Sequence, residues 1–148
     1  ITGFPTETRE LAMDTVELNR SLDSDNQNLY AFVPFHGTPL RRLCEEQGLV
    51  SPETITRACT DKPMLVMPQY TQQEIEGLIK CFVLYVKFPK SRWHDIKKAE
   101  SNTPEGNLIF KELKQEYVER YLLKTDNKLN ESPGASDLEY GVEPSEVC

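Results

Sequence analysis

The chain has 148 residues and a net charge of −7, with 38% hydrophobic and 28% charged residues. That composition supports one modest core under a well-solvated surface, and no uninterrupted apolar run approaches the length a membrane-spanning helix needs. Six acids in residues 125–148 (Asp126, Glu131, Asp137, Glu139, Glu143 and Glu146) stand against Lys128, a net of −5 that leaves −2 for residues 1–124; with no basic stripe, nucleic-acid binding finds no support.

In chain order, Ile1 to Thr8 reads as the end of a strand turning directly into a helix. There is no initiator Met and no earlier strand to pair with, so the chain is expected to hold part of a larger α/β domain. The first helix is predicted over Glu7–Leu22, with carboxylates in its first turn favouring the positive end of the dipole. Leu11, Thr15, Leu18 and Leu22 form a stripe expected to pack on a sheet. Asp23 to Asn26 is a polar break. Leu29 to Val33 is apolar on both faces, as in a strand covered on both sides, and Pro34 ends it.

Thr38-Pro39 supplies an N-cap and a Pro at the first helical position. Leu40, Leu43, Cys44 and Gln47 share a face of the helix that follows, and Gly48 stops it. Ser51-Pro52-Glu53 predicts another short helix by the same logic. Met64 to Met67 is a short apolar run between prolines. Thr71-Gln72-Gln73-Glu74 matches a capping box. The helix it opens carries Ile75, Leu78, Ile79, Phe82 and Val86 and ends at Pro89. A shorter helix is expected around Trp93 to Ala99, and Thr103-Pro104 caps a last one bearing Leu108, Ile109, Leu113, Tyr117 and Tyr121. Beyond Lys124 the sequence is too polar to offset its ordering entropy, which predicts a disordered acidic tail. The organisation read from the sequence is therefore 1–50, two βα units; 51–124, a helical domain; and 125–148, the tail.

Cys44, Cys59, Cys81 and Cys148 include no closely spaced pair, so no compact zinc or iron–sulfur cluster motif is present. Free cysteines in predicted amphipathic helices point to a reducing, cytoplasmic setting.

Two motifs carry a resemblance. Gly3-Phe4-Pro5-Thr6-Glu7-Thr8 is similar to the G-x-P-G-E-T turn that ends a strand in radical S-adenosylmethionine (radical SAM) enzymes. Pro34-Phe35-His36-Gly37-Thr38-Pro39-Leu40 resembles their later P-x-x-G-T-P-L. Glu45 to Leu49, and Phe82 to Pro89 followed by Trp93, continue the likeness to the branch that often carries an upstream cobalamin-binding domain, including anaerobic cyclases of the magnesium-protoporphyrin ester type. The likeness covers about residues 1–100 (two motifs at a fitting separation).

The resemblance implies a fold, the last two βα units of a partial (βα)6 TIM-like barrel followed by a helical C-terminal extension, with ligands at the strand ends. It implies S-adenosylmethionine and a [4Fe–4S] cluster as cofactors, cobalamin in the branch that has the upstream domain, a small-molecule substrate, and the remaining barrel half as partner. It places Gly3, Phe4, Pro5, Glu7, Val33, Pro34, Phe35, His36 and Gly37 near the adenosyl end of S-adenosylmethionine, Glu7 chiefly holding the turn through backbone N–H groups. Thr6 stands where the family usually has a second glycine, and a β-branched residue takes positive φ only at a cost. The family's C-x-x-x-C-x-x-C cluster loop is absent, so the chain alone is expected to be inactive.

His36 reads either as a cofactor contact, which the resemblance favours, or as a turn residue packed on Phe35. His94, beside Trp93 and Asp95, reads as part of an amphipathic surface helix. Met64 and Met67 read as core filler, and Tyr85, Tyr117 and Tyr121 as half-buried helix residues. The competing function is a stand-alone helical adaptor that binds proteins through residues 71–124.

Overall fold

A computed structural model of the chain describes residues 1–22, 24 and 27–122. The predicted acidic tail and most of the polar break at 23–26 lie outside the described residues. The helices are α1 (Arg9–Ser21), α2 (Pro39–Glu46), α3 (Gln72–Lys87), α4 (Trp93–Ala99) and α5 (Pro104–Tyr117), with a 3-10 turn at Lys90–Arg92 and a π-helical turn at Val118–Leu122.

α3 is the centre. Its capping box forms as the sequence predicts: the Thr71 hydroxyl accepts from Glu74 N, and the Glu74 carboxylate accepts from Thr71 N at 2.9 Å. Ile75, Leu78, Cys81, Phe82, Leu84, Tyr85 and Val86 are all buried, so the helix is covered on more than one side. α1, α4 and α5 supply that cover. Each large apolar side chain withdrawn from water there contributes about 1.5–3 kcal/mol. α4 matches its predicted extent, and α5 starts at Pro104 under the Thr103 cap.

α1 and α3 lie side by side and point the same way. At their N-terminal ends Arg9 donates to the Glu74 carbonyl at 3.3 Å. At their C-terminal ends the Arg20 guanidinium donates to the carbonyls of Tyr85, Val86 and Phe88 at 2.6, 2.9 and 2.7 Å, and lies 5.6 Å from the Trp93 ring centre. A cation thus meets carbonyls that end α3, where the helix dipole is negative. Between these anchors α1 buries Ala12 and Val16, while Leu11, Leu18 and Leu22 are exposed. The leucine stripe expected to face a sheet therefore faces outward, because small side chains let α1 approach α3 closely.

The barrel expectation is overturned. Among the described residues there is no strand, sheet or barrel portion, and the architecture is helical. Residues 28–34 are extended but make one isolated parallel bridge, Thr2 with Ala31. Thr2 N donates to Tyr30 O at 3.0 Å, and Phe32 N to Thr2 O at 2.7 Å. The left-handed turn at Gly3 (φ 89°) bends the chain away after Thr2, so the ladder does not grow. Leu29, Ala31, Phe32 and Val33 are buried, as the apolar run requires, but Leu29, Ala31 and Phe32 are covered by one core shared with α3 rather than by neighbouring strands.

The helix predicted at Ser51-Pro52-Glu53 is also absent; the segment is a turn. Arg41, buried in α2, explains it. Its guanidinium takes the carbonyls of Ser51, Pro52 and Thr54 at 2.9, 3.2 and 3.0 Å, and also pairs with Glu45. Those oxygens are then unavailable to a helix. Cys44 is buried beside Arg41, whereas Leu40 and Gln47 of the predicted apolar face are exposed.

Candidate functional site

The first turn is built by one carboxylate. Glu7 Oε2 accepts from Gly3 N, from Phe4 N at 3.2 Å and from the Thr2 hydroxyl at 3.0 Å. Glu7 N closes the turn on Phe4 O at 3.0 Å, and Thr8 caps α1. Three donors on one buried carboxylate fix the backbone of residues 2–4. A Cβ on Gly3 would stand 3.2 Å from Ile75 Cδ1, so glycine there serves both the left-handed φ and the approach of α3. Thr6 is exposed, and no residue other than glycine has positive φ among the described residues. The turn thus takes Thr6 in place of glycine without strain at that position.

In the second turn, Phe35 N donates to Val33 O and Thr38 N to Phe35 O, Gly37 has φ 80°, and Thr38 caps α2. The Pro34 carbonyl accepts from the Thr56 hydroxyl at 3.2 Å and from Arg41 at 3.4 Å. No Cβ clash exists at Gly37, so only its backbone conformation demands glycine.

The Thr2–Ala31 bridge sets the two turns side by side. Between them lies a cleft of about 400 Å³ lined by Ile1, Phe4, Tyr30, Ala31, Phe32, Val33, Phe35 and Cys59. The Phe4 and Phe32 rings are 4.8 Å apart at 32°. Of the sequence-predicted site residues, Phe4, Val33 and Phe35 line this cleft. Gly3 and Glu7 do not line it, though the Glu7 carboxylate holds the backbone N–H of Phe4, which does. Pro5 and Pro34 are buried, and His36 and Gly37 are exposed outside its lining. His36 makes no hydrogen bond or ion pair among the described residues. His94 is exposed on α4, 3.5 Å from Asp95.

The cleft suits a flat ring that stacks on the Phe4–Phe32 pair. Apart from the Tyr30 hydroxyl and the Cys59 thiol, the side chains lining it among the described residues are apolar, and none of them is charged. A [4Fe–4S] cluster does not fit the described residues, since no three His, Cys, Asp or Glu side chains among them are placed to hold a metal. Burial pushes the Cys81 thiol up to about 12 and also raises that of Cys44, which keeps both protonated and unsuited as thiolate ligands.

Behind the first turn lies a buried polar layer not anticipated from the sequence. The Thr2 hydroxyl is 3.2 Å from the Tyr70 hydroxyl. Glu100 Oε1 receives the Tyr85 hydroxyl at 2.7 Å and Arg9, while Lys97 reaches Oε2 at 2.9 Å. Burial works against the Arg9 charge, but the charge and hydrogen bond of Glu100 outweigh it and hold the guanidinium above its ordinary value. Burial pushes the Tyr70 phenol up to about 12. Burial, then the negative charge and hydrogen bond of Glu100, raises Tyr85 as well. Apart from Lys97, three residues before Glu100, these partners sit 15 to 91 residues apart in sequence, and no local signal joins them.

No helix among the described residues is long and apolar enough to cross a membrane. Compared with protein-family models, curated proteins and solved structures, the chain has no match.

Proposed function

We propose that the chain is part of a radical SAM enzyme in which the paired glycine turns hold the adenosyl end of S-adenosylmethionine. The observation that supports this reading is the apolar cleft between the two turns, floored by Phe4 and Phe32 and fixed by the Glu7 clamp. Adenine is planar, and an aromatic floor gives it stacking area without any charged partner. No described residues fit the iron–sulfur cluster, so no step of the radical chemistry is assigned to this chain. Cluster, cobalamin and substrate belong to other parts of the proposed enzyme, and the cytoplasmic setting is part of the same proposal.

The test uses S-adenosylhomocysteine, which needs no cluster, titrated into the isotope-labelled chain. Shifts of the Phe4, Phe32 and Phe35 amides that saturate with ligand are expected, with loss of the response in Phe4→Ala. An unresponsive cleft would overturn the assignment.

The second reading is a stand-alone helical module that binds another protein. It is favoured by one observation: residues of α1 and of the 29–33 segment share a single core with α3, α4 and α5. A cooperative melt of the chain together with no response to S-adenosylhomocysteine would move the conclusion to this reading.

A further inference from the structure

A second cleft lies on another face, between α3, α5 and residues 27–30, with a volume of about 320 Å³. We infer that it binds a small organic anion with a flat apolar body, of the aromatic carboxylate class. The floor is apolar, with Ile79, Phe82, Val83 and Phe110 among its lining, and among the described residues the charged ones that line it are Lys80 and Lys114. Neither lysine forms an ion pair among the described residues. In a chain of net charge −7, two cations that no described acid pairs with, set beside an apolar floor, complement a single negative group.

The cations are also placed. Lys80 Nζ donates to Ser101 O at 3.0 Å and to Asn107 Oδ1 at 2.8 Å, and stands 5.0 Å from the Phe110 ring centre. An ammonium has three donors, and these two bonds use two of them. Lys114 follows Phe110 by four residues on α5, one helical turn further along the same face. The volume lies at the small end of ligand pockets (about 300–1,000 Å³), which admits a body of one or two fused rings. This site shares no lining residue but Tyr30 with the cleft between the glycine turns, and it stands independently of the function proposed there.

The experiment titrates the full chain with anilinonaphthalene sulfonate, followed by fluorescence, then competes it with naphthoate and with uncharged naphthol. Saturable one-site binding is expected, displaced by naphthoate at least about tenfold better than by naphthol. A K80M/K114M double variant is expected to weaken probe binding by about tenfold or more, and Lys114→Met alone, which leaves the Ser101 and Asn107 bonds intact, by a smaller factor. Phe35→Glu, in the other cleft, is expected to leave binding unchanged. Circular dichroism confirms that each variant is folded, and Lys114→Met decides if the double variant is not. Absence of saturable binding, equal affinity in the lysine variants, or loss of binding in Phe35→Glu would each overturn the inference.

Discussion

The Tyr85 hydroxyl donates to Glu100 Oε1 at 2.7 Å inside the core, on the same oxygen that Arg9 pairs with from α1. This junction ties α1, α3 and the end of α4 together, and both charged side chains are largely withdrawn from solvent. Glu100→Ala leaves the Arg9 charge buried without its partner, and is expected to cost about 3 kcal/mol. Tyr85→Phe removes one hydrogen bond to the carboxylate and is expected to cost about 1–2 kcal/mol. Urea unfolding of both variants and of the double variant checks this. Because the residues share one network, the double variant is expected to lose less than the sum.

Alkaline pH should unfold the protein before its buried phenols ionise. Tyr70 rises from an ordinary 10.0 to about 12, and Cys81 from 9.0 to about 12, both because burial disfavours the charged form. A raised folded value means the native state keeps its proton where the unfolded chain has released it. That contribution is fully present below the unfolded value and is lost as pH rises through the folded one. The unfolding free energy from urea titration is therefore expected to be flat near neutrality and to fall from about pH 9 upward, by about 1.4 kcal/mol per pH unit for each group between its unfolded and folded values. The part of the tyrosinate absorbance that Tyr70→Phe and Tyr85→Phe remove should appear together with loss of helical circular dichroism, a difference that leaves out the exposed Tyr30. Tyrosinate forming at Tyr70 or Tyr85 well before unfolding would contradict their burial.

Gly106 sits three residues after the Thr103 cap of α5, and a Cβ there would stand 2.6 Å from Ser101 O and 2.9 Å from Lys98 O. Those are backbone oxygens of the α4–α5 corner and cannot rotate away. Gly106→Ala gains about 1 kcal/mol of helix propensity but overpacks the corner, with an expected net loss of about 1–2 kcal/mol. Thermal melts decide the sign. A more stable variant would show that the corner is looser than its distances.

Which elements could be read from the sequence follows from where their signals lie. Thr71 with Glu74, and Thr103 with Pro104, are local devices, so α3 and α5 start where the sequence places them. The role of Glu7 was legible for the same reason, its donors being three to five residues away. The apolar faces of Leu29 to Val33 suggest a strand, yet they report burial and not pairing, and a core of helices buries them equally well. In α1 the sequence could not say which side its neighbour occupied, so the larger leucines outweighed Ala12 and Val16. The roles of Arg41, Tyr70 and Glu100 are not legible in the sequence, because they depend on partners that only the folded chain brings near.

The Glu7 clamp offers the most direct link between stability and the proposed site. Glu7→Ala leaves the N–H groups of Gly3 and Phe4 and the Thr2 hydroxyl without their acceptor, an expected cost of about 2–3 kcal/mol. Glu7→Gln keeps an oxygen in place and should cost about 1 kcal/mol. Gly37→Val meets no clash but forces a β-branched residue to φ 80°, with a similar loss of about 1–2 kcal/mol confined to the second turn. If the cleft takes adenine, S-adenosylhomocysteine binding should weaken in Glu7→Ala and Gly37→Val and be largely kept in Glu7→Gln. A pattern in which stability falls while ligand response is unchanged would leave Glu7 and Gly37 as fold residues only, and would separate the turns from the site.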